Sequence, residues 1–318
     1  MWLRHAQHKA KLAVLLLAPI LGACSGVKAD RGAFVRLSAP RIDRRLDPTD
    51  LFPTDLDLVL RVDVARMRAG VGSAAANDLT ARALRETGED VVENALACAD
   101  VVWLATRLGE IDAGDHVLVL EGKDCAPHLN PEAWQSVPSA NREVTIFARK
   151  KRASRNGTAR IINLGTRATA FISPIEVDSV NRVLRDGPDE RRGDPTASGL
   201  ASIDLRAHRL SPRLERRFRA FGAVIAGVER IRASAVLGDE GLRIEADIVG
   251  RTPASASLAF KFLTSLRDSG QQGRYAAVLS SMELETIERT IRLKWVVPAH
   301  IVLSLLAPEP PSPSPPSP

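Results

Sequence analysis

Aromatic residues are scarce in this chain: eight Phe, four Trp and one Tyr among 318 residues. That argues against base-stacking and against aromatic sugar-binding platforms. Cysteine is held to three residues, far too few for a disulfide-built scaffold. The HExxH and GxSxG motifs are both missing, and the His residues downstream of the N-terminal region (His116, His128, His208 and His300) form no metal-ligand pattern. Asp124, Cys125 and His128 stand close together, but no second Cys/His cluster supplies further ligands. Catalytic, cofactor and metal residues are therefore expected to be none. The 44 basic residues exceed the 38 acidic ones by six, and three of the bases fall in the first 23 positions. The remainder is nearly balanced, which with the shortage of aromatics speaks against a nucleic-acid partner.

Ordinary apolar and charged fractions, 45% and 26%, indicate a globular chain with ample core. The first 11 residues carry Arg4, Lys9 and Lys11 and no acid, and residues 12–21 (LAVLLLAPIL) are an apolar run. The run is too short to span a bilayer, which needs about 20 residues. Charged, apolar and small-residue regions in that order form a secretory signal peptide over residues 1–23.

Leu21-Gly22-Ala23-Cys24 follows directly and resembles the lipobox of bacterial lipoproteins. The resemblance covers residues 1–24 only. It implies lipidation of Cys24, cleavage before it, and residence on the exported side of a cell or outer membrane, with the bilayer as partner through acylated Cys24. Two or more acyl chains hold a protein stably, at about 0.8 kcal/mol per buried methylene. Ser25, rather than Asp, follows the cysteine, which by the same resemblance favours an outer membrane where the host has one.

Residues 24–50 lack a sustained period and read as a tether. Residues 308–318 (PEPPSPSPPSP) are seven-elevenths proline and read as an extended, disordered tail. Between them the pattern is α+β. Asp57–Val64 alternates as a half-buried strand, and a helix capped by Asn77 or Asp78 runs to about Ala97. Val101–Leu108 and Asp115–Glu121 flank GEIDAG as a hairpin. Glu143–Arg149 and Ala159–Leu164 flank Asn156-Gly157, a tight-turn signal, and Arg167–Ser173 precedes a helix. The second part repeats this order. Ser202–Arg206 is a strand, and Ser211-Pro212 opens a helix with Leu214, Phe218, Phe221, Ile225 and Val228 on one side. Ile231–Leu237 and Leu242–Val249 form a hairpin across GDEG, a helix starts at Thr252-Pro253, and Ile287–Val297 is a strand.

The expected architecture is two lobes, residues 51–186 and 200–307, joined by the polar linker 187–199. Each has an antiparallel sheet packed by helices. The parallel order of elements suggests internal duplication of a strand-helix-hairpin-strand-helix unit. Val62-Asp63-Val64 corresponds to Ile203-Asp204-Leu205.

Export and lipidation of Cys24 leave Cys98 and Cys125 as a disulfide candidate. The midpoint between them falls between Ile111 and Asp112, inside the GEIDAG turn, so the thiols should face each other where the hairpin opens. Arg149, Lys150, Lys151, Arg152 and Arg155 form the one dense basic run, able to touch anionic headgroups or wall polymer. Gly70-Val71-Gly72-Ser73-Ala74-Ala75 matches the loose GxGxxA string, but no strand directly precedes it, as a dinucleotide loop requires. Glu283, Glu285 and Glu288 could serve glycoside hydrolysis, yet with Arg289 and Arg292 they read more simply as the polar side of one element.

The resulting expectation is a membrane-anchored envelope protein, non-enzymatic, binding or scaffolding other envelope proteins or wall polymer. The alternatives are an envelope hydrolase whose site assembles only in three dimensions, and a carrier of lipid or another apolar ligand.

Overall fold

The computed structural model describes residues 46–73, 76, 90–107, 115–123, 125–139, 141–154, 157–187, 199–206, 224–270 and 276–301. The expected signal peptide, the starts of the helices capped at Asn77/Asp78 and Ser211, most of the linker and the proline-rich tail lie outside these residues. The end of the first helix is described as helix over Asp90–Leu96, whereas Val228, expected on the second, begins a strand instead.

The fold is α+β. Its strands are β1 (Leu58–Asp63), β2 (Val101–Thr106), β3 (His116–Glu121), β4 (Trp134–Val137), β5 (Val144–Arg149), β6 (Arg160–Leu164), β7 (Ala168–Ile172), β8 (Ala201–Arg206), β9 (Val228–Gly238), β10 (Gly241–Gly250), β11 (Glu283–Ile287) and β12 (Thr290–Pro298). The helices are α1 (Val64–Val71), α2 (Asp90–Leu96), α3 (Val177–Asp186), α4 (Pro253–Gly270) and α5 (Ala276–Leu279). None of these helices is long and apolar enough to cross a membrane.

The two sets of strands join edge to edge in one twelve-stranded sheet, in the order β11-β12-β10-β9-β8-β1-β2-β3-β7-β6-β5-β4. Neighbours are antiparallel throughout. Read outward from the centre, β1-β2-β3-β7-β6 and β8-β9-β10-β12-β11 follow one plan, and the first half adds β5 and β4 beyond it. The halves meet where β1 and β8 pair, with Arg61 opposite Ser202. Equivalent strands lying antiparallel side by side are what a twofold relation between duplicated units requires.

The first half is buried on both faces. On one, Val59, Trp103, Val117, Val119 and Ile172 meet Leu51, Phe52 and Leu56 and the α3 residues Val180 and Leu184. On the other, Leu104, Leu118, Leu120, Ile161 and Phe171 meet Val92, Ala95 and Leu96 of α2. Each large apolar side chain so covered contributes about 1.5–3 kcal/mol. Leu46 belongs to this core, so the packed body reaches back into the stretch expected to be tether.

β1 differs from its expected half-buried state. It is a central strand, and Val59, Arg61 and Asp63 are buried along with Leu58. Asp63 ends the strand and starts α1 by accepting from the Arg66 N–H at 2.9 Å, a helix start absent from the expectations.

The second half keeps a clean alternation. Ile231, Ala233, Ala235 and Leu237 stand opposite Ile248, Ala246, Ile244 and Leu242, while Arg232 and Ser234 stand opposite Asp247 and Glu245. Trp295 reaches α5 by donating from Nε1 to the Val278 carbonyl. The single strand expected from Ile287 to Val297 is instead the hairpin β11–β12. There Glu283 and Glu285 oppose Lys294 and Arg292, so these acids are one side of a charge ladder.

The GDEG turn is a two-residue hairpin, with Gly238 paired to Gly241. Gly241 has φ of 136°, and a Cβ there would lie 2.1 Å from the Val297 carbonyl oxygen. Gly238 has no such constraint, its nearest neighbour being 3.9 Å away. Gly241→Ala should therefore cost about 2–3 kcal/mol, and Gly238→Ala less than about 1 kcal/mol. Urea midpoints of the two variants give the comparison, and equal shifts would contradict it.

Candidate functional site

The strongest convergence of charge lies where β2 ends and β3 begins. Arg107 follows β2, and Asp115 precedes β3. The Thr106 hydroxyl donates to the Asp115 carbonyl, fastening the two chain segments together. The Arg107 guanidinium presents Nε and Nη2 to the two Glu176 oxygens at 2.8 and 3.2 Å, a forked pair. Its Nη1 donates to the Asp55 carboxylate, and its Nε lies 3.6 Å from Asp115 Oδ2. Glu176 and Asp115 are 0% and 1% exposed at the side chain, Arg107 21%. Burial pulls the Arg107 pKa down, but hydrogen bonds and charge from Glu176 and Asp55 outweigh it and hold the guanidinium above its ordinary range.

This cluster joins Asp55 of the N-terminal segment, the β2–β3 end and Glu176 at the entrance to α3. Both Glu176 oxygens are occupied by one guanidinium, the geometry of a clamp. Beside it Ser173 meets His116 through the main chain: its hydroxyl accepts from the His116 N–H at 3.1 Å. No group of His, Cys, Asp or Glu among the described residues could hold a metal ion.

A second ionic cluster marks the junction of the halves. Buried Arg61 donates to the Gly199 carbonyl at 3.1 Å and to Asp63 at 3.3 Å, and lies over the Trp103 ring at 5.6 Å. Arg230 forks onto buried Asp204, both bonds 2.8 Å, and the hydrogen bond to Asp204 raises its pKa. Val59 pairs with Asp204, so on this side of the sheet the apolar core of the first half gives way to the charged ladder of the second. Arg61 stands at the changeover.

Neither cluster carries a local motif. Arg107 is 52 and 69 positions from Asp55 and Glu176, and only the fold brings them together. The signal available beforehand was Arg61, a lone cation among β-branched and leucine residues in β1.

Of the expected site residues, Cys98 and Cys125 are joined in a disulfide, with Cα atoms 5.6 Å apart. Val101 pairs with Glu121, so the ladder centres on Ile111 rather than between Ile111 and Asp112. The cysteines lie three and four residues beyond its last pair, one residue out of strict register, and meet where the hairpin opens. The bond removes Cys125 from any metal set with Asp124 and His128, and Asp124 itself lies outside the described residues. Gly122 fits closely here: a Cβ would stand 2.6 Å from Cys125 Sγ and 2.7 Å from the Cys98 carbonyl oxygen.

The basic run sits at the end of β5. Arg149 lies over the Trp134 ring at 4.9 Å, and its Nε donates to the Thr158 carbonyl at 3.0 Å. The Lys150 N–H donates to the Ala133 carbonyl, and Lys150, Lys151 and Arg152 are exposed. The connection to β6 is ten residues long, since Arg149 ends one strand and Arg160 starts the next, so Asn156-Gly157 does not close a two-residue turn. Asn156, Arg155 and Cys24 lie outside the described residues. Gly70 of the GxGxxA string belongs to α1, which directly follows β1.

No known family model matches this chain, and no curated protein matches it. Among solved structures it is similar to TP0453. Crystal form I gives a TM-score of 0.49 and 11% identity over 84% of this chain and 100% of that one. Crystal form III gives 0.47 and 10% identity over 82% and 98%.

Proposed function

We propose that the chain is a lipid-anchored cell-envelope protein. Acylated Cys24 holds it to a membrane, and its α+β body binds or scaffolds another envelope component without catalysing a reaction. The observation that carries this reading is Leu21-Gly22-Ala23-Cys24 directly behind a cationic start and a ten-residue apolar run. The Cys98–Cys125 disulfide supports it, because such bonds persist where the compartment is oxidising. The carboxylates that converge in the body are gathered on Arg107, which favours a structural role over a paired general acid and base.

Cys24→Ala tests the anchor. The parent chain is expected in the membrane fraction, cleaved before a Cys24 whose mass carries acyl groups. The variant is expected to keep its full N-terminus or to leave the membrane. Mass spectrometry of the N-terminal peptide decides, and a cleaved chain with an unmodified Cys24 would overturn the reading.

A further inference from the structure

Between Glu143 and Glu176 the chain contains no acidic residue, while Arg149, Lys150, Lys151, Arg152, Arg155, Arg160 and Arg167 all fall there. The fold separates these cations. Arg160 is turned to Asn181 on α3, and Arg167 reaches the Leu46 carbonyl at 3.3 Å and Glu143 at 4.0 Å, so both are engaged by the body. Lys150, Lys151 and Arg152 instead project from the β5–β6 connection. Lys150 and Lys151 make no ion pair among the described residues.

The base of that connection is built. The Arg149–Trp134 stack, the Arg149 bond to the Thr158 carbonyl and the Lys150 bond to the Ala133 carbonyl fix where the three exposed cations leave the sheet. A fixed mount lowers the ordering cost of a surface contact. The acid nearest in the chain on the neighbouring segment is exposed Glu132, one charge beside Lys150 and Lys151.

We propose that this loop is a second attachment point, docking the body on the anionic headgroups of the membrane that carries the lipid anchor. The choice of membrane over another polyanion follows from reach, and only that choice rests on the lipid-anchored reading. Residues 25–45 can extend no more than about 75 Å, which keeps the loop near the headgroup layer at high effective concentration. One lipid signal plus a basic patch is also a physically sufficient pair for stable membrane residence.

The test uses the chain from residue 24 onward carrying Cys24→Ala, so that neither lipid nor the cationic, apolar residues 1–23 contribute. It is compared with the same chain also carrying Lys150→Gln, Lys151→Gln and Arg152→Gln. Both are titrated with vesicles of pure phosphatidylcholine and of equal parts phosphatidylcholine and phosphatidylglycerol. Each cation near an anionic surface is worth about a fivefold change in partitioning, so the triple variant should lose roughly a hundredfold on anionic vesicles. It should lose nothing on neutral ones. The difference should collapse in molar salt, where the screening length is about 3 Å. A Lys150→Arg, Lys151→Arg, Arg152→Lys chain should keep the binding. Equal binding by parent and triple variant overturns the proposal, as does parent binding that ignores vesicle charge. Binding of soluble polyphosphate without binding of anionic vesicles would assign the loop to a polymer and overturn the membrane contact. None of these outcomes touches the acylation of Cys24, which mass spectrometry reads separately.

Discussion

Arg107→Leu is expected to destabilise the folded chain by about 3 kcal/mol, a drop of roughly 6–12 °C in melting temperature. The substitution takes from Glu176 and Asp115 the guanidinium that lies against both, and both side chains are buried. Removing one partner of a fully buried pair costs about 3–5 kcal/mol, and the lower end applies because Arg107 is partly exposed and Asp55 largely so. Arg107→Lys keeps the charge but loses the fork onto Glu176, so it should fall between parent and Leu variant. The mechanism separates from simple packing loss by a double-mutant cycle. With Glu176→Gln already present, the penalty for Arg107→Leu should shrink by at least about 1 kcal/mol, because the buried charge it would strand is gone. Additive penalties would show that the clamp is not ionic, and a single-variant loss below about 1 kcal/mol would show that water reaches the site.

Much of the body was legible in the sequence because its signals are local. The GEIDAG and GDEG hairpins, the strand at Arg167–Ser173 and the helix after Thr252-Pro253 all rest on turn residues and period, and the structure has β2–β3, β9–β10, β7 and α4 at those places. Features that depend on contact between distant segments were not legible. β4 is a four-residue edge strand whose alternation is too short to register, and it exists because Trp134 to Val137 pair with β5. Residues 46–56 show no period, since they cross the sheet as a strap with one 3-10 turn, Pro48–Leu51, that buries Leu46, Leu51, Phe52 and Leu56 without an extended repeat. The repeated order of elements was visible, but the union of the halves was not. It is made by β1 pairing with β8 across some 140 positions, and such pairing leaves no mark in either strand alone. The Arg107 cluster is hidden for the same reason. Each of its residues is an ordinary charged residue beside a turn until the fold removes water from around them.

Reduction of Cys98–Cys125 should lower stability by about 3–4 kcal/mol while leaving the fold in place. The bond closes a separation of 27 residues, and the chain-entropy model gives about that value for such a loop. The fold should persist because Val102, Leu104, Leu118 and Leu120, which line the same hairpin, are buried in a core that does not depend on the bond. The Cys98→Ala/Cys125→Ala chain should behave as the reduced protein does, with little further loss from packing, since Cys98 is exposed and alanine fills most of the Cys125 site. Gly122 supplies an internal check. Its α-hydrogen faces Cys125 Sγ, so Gly122→Ala should be costly with the bond formed and less so in the doubly substituted chain, where one of the atoms it meets is absent. Denaturant midpoints for the four chains give that coupling directly. Thiol labelling of the unreduced, denatured protein should find neither Cys98 nor Cys125 reactive. Two reactive side-chain thiols, or a midpoint that reduction leaves unmoved, would mean that the hairpin opens without being tied.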